Sequence, residues 1–213
     1  MQSEHRSPVP GTPGAAFLPA PMTGAAVLVV DDNPVNRMML ARFVERLGCT
    51  VVPVDDGSRA LETARAGAFD LILLDILMPG MDGFAVLSAL KADPALRAAP
   101  VIVISALDDV ADVARCLELG AEDYMPKPFN PVLLRARLAA ALERKRLRAQ
   151  QQADMQDAAR LTDATLALAA GAYDPESLVE VARRPDPLGQ LARSIQRLAR
   201  AVVLRESGPE DRC

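Results

Sequence analysis

Residues 70–83 read Asp70-Leu71-Ile72-Leu73-Leu74-Asp75-Ile76-Leu77-Met78-Pro79-Gly80-Met81-Asp82-Gly83, an apolar run of strand length that ends on one carboxylate. Leu71 to Leu74 show no apolar-polar alternation, the pattern of a strand covered on both faces. Pro79-Gly80 and Asp82-Gly83 force a loop before the next helix. Asp75 is therefore predicted at the carboxyl edge of a parallel sheet, where such folds bind ligands.

A single acid at a strand end most often caps a turn and nothing more. Here it has companions. The apolar run 27–30 ends on Asp31 and Asp32, the run 101–104 ends on Ser105, and the segment 123–125 leads to Lys127. Four strands thus deliver three carboxylates, a hydroxyl and an ammonium to one edge. Crowded carboxylates raise one another's pKa unless a cation neutralises them. An all-oxygen set of this kind selects Mg²⁺, which keeps several waters and takes one or two carboxylates together with a phosphoryl oxygen. A phosphoryl group on Asp75, the expected nucleophile, would be held by Mg²⁺, the Ser105 hydroxyl and the Lys127 ammonium, because its transfer needs mainly positioning and charge neutralisation.

From Ala25 onward, strand and helix patterns alternate five times, which predicts an α/β fold with a five-stranded doubly wound parallel sheet. Strands are expected near 26–31, 50–54, 70–75, 100–105 and 123–126. Asn33-Pro34, Asp93-Pro94 and Asn130-Pro131 each place a capping side chain before a proline that lacks an amide. The pair Asp93-Pro94 is expected to start only a short turn. In the first helix Val35, Met38, Met39, Phe43, Val44 and Leu47 recur at helical spacing, and beyond Phe129 so do Val132, Leu134, Leu138 and Leu142.

Val30-Asp31-Asp32-Asn33, Leu73-Leu74-Asp75 with Met78-Pro79-Gly80-Met81-Asp82-Gly83, Ile104-Ser105-Ala106 and Lys127-Pro128-Phe129 together resemble the receiver domain of bacterial response regulators, over residues 25–144. The resemblance implies a flavodoxin-like fold with Asp75 as phosphoacceptor. It also implies Asp31, Asp32, Asp75 and the backbone carbonyl of Leu77 as Mg²⁺ ligands, Ser105 as switch hydroxyl, Lys127 as the paired lysine and Tyr124 as the rotating aromatic. A histidine kinase or a histidine phosphotransfer protein is the implied phosphodonor. Leu77 and Leu107 stand two positions beyond the phosphoacceptor and the hydroxyl, and both are apolar where a polar side chain could orient water.

Half of the 213 residues are hydrophobic but only 3% are aromatic, so the core must be built from aliphatic residues. A net charge of -4 argues against general nucleic-acid affinity, which needs a concentrated positive field. Cys49, Cys116 and Cys213 lack metal-ligand spacing and read as reduced thiols of a cytoplasmic protein. No apolar run approaches the length of a membrane span, so no membrane insertion is expected. Residues 1–24, with Pro8, Pro10, Pro13, Pro19 and Pro21, are expected to be a disordered tail, as are residues 207–213. The only histidine, His5, lies in that leading tail, without the rigid helix that a phosphodonor histidine needs.

Residues 145–206 read as an all-α module. Within it, Leu161 to Gly171, Asp174-Pro175 and Asp186-Pro187 through Ile195 look like a HAMP domain, the parallel dimer module of bacterial signalling proteins, although Pro187 stands where that family usually has a glutamate. Leu188, Leu191, Ile195, Leu198 and Val202 have the 3, 4, 3, 4 spacing of a coiled-coil seam. Ala158, Leu161, Thr165 and Leu168 alternate likewise on the preceding helix. A homodimer through these helices is expected, with an intramolecular helical hairpin as the alternative.

The favoured reading is a non-enzymatic response regulator that acts on an unknown downstream protein. A Mg²⁺-dependent phosphohydrolase of the haloacid dehalogenase type would need a second acid two residues after the nucleophile, where Leu77 stands. A DNA-binding regulator is the other alternative, and no helix-turn-helix pattern follows the basic stretch 144–148.

Overall fold

The computed structural model describes residues 22–106 and 109–206. His5, Leu107 and the two expected tails, apart from Met22 to Gly24, lie outside the described residues. The chain divides into two compact units, residues 1–142 and 143–213.

In the first unit β1 (Ala26–Val30), β2 (Thr50–Val54), β3 (Leu71–Leu74), β4 (Val101–Ser105) and β5 (Asp123–Pro126) form one parallel sheet in the order β2-β1-β3-β4-β5. Successive side chains of a strand point to opposite faces, and in β1, β3 and β4 both faces are dry. Leu28, Val30, Ile72, Leu74, Val101 and Val103 meet α2 (Gly57–Ala66) and α3 (Gly83–Ala92) through Ala60, Leu61, Val86, Leu87 and Leu90. Val27, Val29, Leu71, Leu73, Ile102 and Ile104 pack with α1 (Pro34–Arg46) and the start of α5 (Pro131–Ala169) through Leu40, Val44, Leu134 and Leu138. Each such side chain contributes roughly 1.5–3 kcal/mol by leaving water, so the sheet is held firmly enough to fix what its edge carries.

Helix starts follow the capping chemistry. The Asn33 side chain accepts from the amides of Val35 (2.9 Å) and Asn36 (3.3 Å), and Asn130 accepts from Val132 (2.9 Å) and Leu133 (3.3 Å). Asp93 follows α3 and its side chain accepts from the Ala95 amide, opening turns and not a helix. The apolar spacing on α1 overstates its packing: Leu40, Ala41 and Val44 are buried, whereas Val35, Met38 and Met39 stand in solvent. Val132 likewise points outward while Leu134, Leu138 and Leu142 pack. A helix with apolar residues on more than one side can bury only the arc that meets the sheet. Between β4 and β5, α4 (Val110–Glu118) buries Cys116.

In the second unit α5 is followed by a 3-10 turn (Pro175–Leu178), a short α6 (Val179–Ala182) and α7 (Pro187–Glu206). Leu161 and Ala164 of α5 form a core with Leu178, Val181, Ala192 and Ile195. The turn between α6 and α7 is clasped electrostatically: the Arg184 guanidinium donates to Asp154 (2.6 Å), Asp157 (2.7 Å) and Asp186. Gly189 lies against the same turn, where an added Cβ would stand 2.0 Å from the Arg184 carbonyl oxygen. The helices of this unit therefore pack on one another within one chain. Of the seam read from the sequence, Ile195 is buried and Leu188 half-buried, while Leu191, Leu198 and Val202 remain exposed. Among the described residues no helix is long and apolar enough to cross a membrane.

Candidate functional site

Sheet register assembles the site. Val30 pairs with Leu74, so the next residue of each strand, Asp31 and Asp75, emerges side by side at the carboxyl edge, between the two central strands. The Asp75 amide donates to the Val30 carbonyl (2.9 Å) and the Asp31 amide to Val54 (3.2 Å). On the other side Ser105 pairs with Pro126, and the Lys127 amide donates to the Ser105 carbonyl (2.9 Å). The peptide bond between Lys127 and Pro128 is cis. Gly83 closes the site from below: a Cβ there would stand 2.2 Å from the Asp75 carbonyl oxygen, so only glycine lets α3 begin so close.

The structure brings together Asp31, Asp32, Asp75, Ser105 and Lys127, the residues selected from the sequence. Carboxylate oxygens of Asp31, Asp32 and Asp75 lie within 4.8 Å of one another. Asp31 and Asp75 are buried, whereas the Asp32 side chain faces solvent. The Lys127 ammonium donates to Asp31 (2.8 Å) and to Asp75. Burial pushes the Asp31 carboxyl above its usual pKa, against the pull of Lys127. For Lys127 burial favours the neutral amine, but its hydrogen bonds and attraction to Asp31 and Asp75 prevail and raise its pKa.

Three further groups complete the surroundings. The Ser105 hydroxyl oxygen is buried and has no hydrogen-bond partner among the described residues. The Tyr124 hydroxyl donates to the Ser105 carbonyl (3.2 Å). Leu77 donates its amide to Asp75 (3.2 Å), and its side chain is 52% exposed at the rim. Sequence reasoning overlooked Arg37, whose guanidinium reaches back from α1 to the carbonyl oxygens of Asp31 (2.6 Å) and Asp32 (3.0 Å). The only sequence signal for it was a long cation in the first turns of a helix that starts directly after the acidic pair.

Three clustered carboxylates facing one ammonium form an all-oxygen donor set that fits a hard divalent cation of the size of Mg²⁺. The unpartnered Ser105 hydroxyl leaves a donor free for an oxygen that arrives with a substrate.

Residues 27–139 match the response regulator receiver domain family, and the chain belongs to that family. The probable transcriptional regulator ycf27 of Guillardia theta is 41% identical over 122 residues, 57% of this chain and 47% of its own length. The DNA-binding response regulator MtrA of Mycolicibacterium smegmatis is 42% identical over 118 residues, 55% of this chain and 50% of its own. The chain thus spans about half the length of the curated relatives it matches. Among solved structures, the receiver domain of sensor histidine kinase PA1611 from Pseudomonas aeruginosa PAO1, with a magnesium ion coordinated in its active-site cleft, superposes with a TM-score of 0.53 at 32% identity. It covers 57% of this chain and 99% of that one. A two-component response regulator, with the acidic cluster at which receiver domains bind Mg²⁺, is the class these likenesses support.

Proposed function

We propose that Asp75 accepts a phosphoryl group from the phosphohistidine of a partner kinase or phosphotransfer protein, and that the chain relays this state by protein-protein contact. The observation that carries the reading is the joint placement of Asp31, Asp32 and Lys127 around Asp75, beside an unpartnered buried hydroxyl at Ser105. Asp31, Asp32, Asp75 and the Leu77 carbonyl would hold Mg²⁺, which when bound neutralises charge on the phosphoryl oxygens. A carboxylate oxygen of Asp75 forms the new bond to phosphorus. The P–N bond of the donor breaks, its electron pair stays on the imidazole, and that nitrogen takes up a proton. Lys127 then turns from the Asp75 carboxylate to a phosphoryl oxygen, and the Ser105 hydroxyl donates to another. With its hydroxyl drawn inward, Ser105 vacates space that Tyr124 enters, which changes the outer face of β5.

Output is assigned to the helical segment, residues 145–206, as a HAMP-like dimer module in which a second copy covers the exposed Leu191, Leu198 and Val202. A DNA-binding output draws on the description of MtrA, whose shared segment with this chain is the receiver.

The test is labelling by radioactive acetyl phosphate with and without Mg²⁺. Asp75→Ala is expected to abolish an acid-labile label that the wild type acquires only with Mg²⁺. Undiminished labelling of the variant refutes the assignment. Anisotropy of a labelled random duplex DNA, read with and without beryllofluoride, separates the two outputs.

A further inference from the structure

We infer that Arg37 is a positioning residue that sets the affinity of the acidic cluster for Mg²⁺, an inference that rests on the metal site proposed above. One guanidinium nitrogen of Arg37 donates to the carbonyl oxygens of Asp31 (2.6 Å) and Asp32 (3.0 Å). The second carbonyl belongs to the peptide unit that joins Asp32 to Asn33. At its other end the same unit carries the Asn33 amide, which donates to a carboxylate oxygen of Asp31 (2.9 Å). In a trans peptide the C=O and N–H dipoles are parallel, so a cation on the oxygen polarises the unit and strengthens what its N–H donates. Arg37 thus acts on the buried Asp31 carboxylate through one peptide plane, without touching that carboxylate.

The arrangement does more than brace a loop. Asn33 already fixes the start of α1 by accepting from Val35 and Asn36, so the helix has its cap without Arg37. What Arg37 adds lies on the strand side of that cap, at the two residues whose carboxylates join Asp75. With both carbonyls gripped, the loop cannot rotate the Asp31 and Asp32 side chains away from Asp75 without breaking charge-assisted hydrogen bonds. Groups that orient metal ligands from behind typically change metal affinity by roughly 10–100-fold.

The experiment measures Mg²⁺ binding itself, by isothermal titration of the full chain with Mg²⁺ alone, alongside thermal unfolding in EDTA. Arg37→Met is expected to weaken the Mg²⁺ dissociation constant by roughly tenfold, and Arg37→Lys to restore part of the loss, while unfolding in EDTA stays close to wild type. A dissociation constant within twofold of wild type for Arg37→Met overturns the inference. So does a loss that Arg37→Lys fails to improve, since that traces the effect to packing and not to the donor. If Arg37→Met does not fold, Arg37→Gln is held to the same twofold criterion. Wild-type protein that binds no Mg²⁺ would instead overturn the metal site, so the two failures are distinguishable.

Discussion

The Ser105 hydroxyl is buried and finds no partner among the described residues, a cost that suits a group whose partner arrives with a ligand. Ser105→Ala is therefore expected to leave stability unchanged or to raise it by up to about 1 kcal/mol, while slowing phosphorylation of Asp75. Urea unfolding and labelling rates, measured on the same preparation, check both halves. A destabilised variant would mean that the hydroxyl has a partner in the resting protein. Leu77 gives the complementary case. Its side chain is half out of the fold at the rim of the site, so replacing it costs little packing. An Asn there offers a polar group that can align water on an acyl phosphate, and Leu77→Asn is expected to shorten the lifetime of the phosphorylated form several-fold. Decay of the label after removal of the phosphodonor measures it, and an unchanged decay rate removes Leu77 from the account. Asp31, Asp75 and Ser105 were legible because each ends an apolar run, a pattern that a one-dimensional text preserves. Arg37 was not, because its role depends on a side chain doubling back by one and a half turns, and no spacing rule marks that.

Among the elements, strands were the most readable and helices the least. Both faces of β1, β3 and β4 are buried, so their sequences are simply apolar, whereas α1 carries Val35, Met38 and Met39 on an arc that meets no strand. Hydrophobic periodicity reports which residues share a side, not which side faces the sheet. The 3-10 turn and α6 escaped because four residues are too few to show a period. They matter nonetheless, since Leu178 and Val181 fill the centre of the helical unit. The clasp beside them makes a pH prediction. Arg184 holds Asp186 below the usual carboxylate pKa, with the Gly189 amide adding to the effect. An acid with a depressed pKa stabilises the fold above its unfolded value and loses that contribution as pH falls through the folded one. The helical unit should therefore weaken below the ordinary range for carboxyl titration. Asp186→Asn keeps a side-chain oxygen for the Gly189 amide and removes the charge, so it should flatten this acid limb in circular dichroism titrations. An identical limb in the variant would assign the loss to other carboxylates.

For the whole molecule, the choice between a dimer and an intrachain hairpin could not be read from α7, because one apolar arc serves both. The structure divides that arc: Ala192, Ile195 and Ala199 are buried, and Leu191, Leu198 and Val202 are left for another surface. An acid at Ile195 would unfold the helical unit regardless of assembly, so the informative change is Leu191→Asp. It is expected to leave helix content intact and to reduce the mass seen by light scattering from dimer to monomer. A wild-type mass that is already monomeric at micromolar concentration, with and without beryllofluoride, defeats the dimer. The register that sets Asp31 beside Asp75 has a further consequence, for how this chain can be altered by insertion and deletion. Removing one residue from β3 would carry Asp75 into a layer of aliphatic side chains and present Ile76 at the edge, whereas residues can be added at Gly80, where the loop is open and the Asp82 cap still lies ahead, without moving a carboxylate. The strands are thus read in a fixed frame and the loops are not, so length variation in natural or engineered versions of this site should be confined to the connections that leave its carboxyl edge.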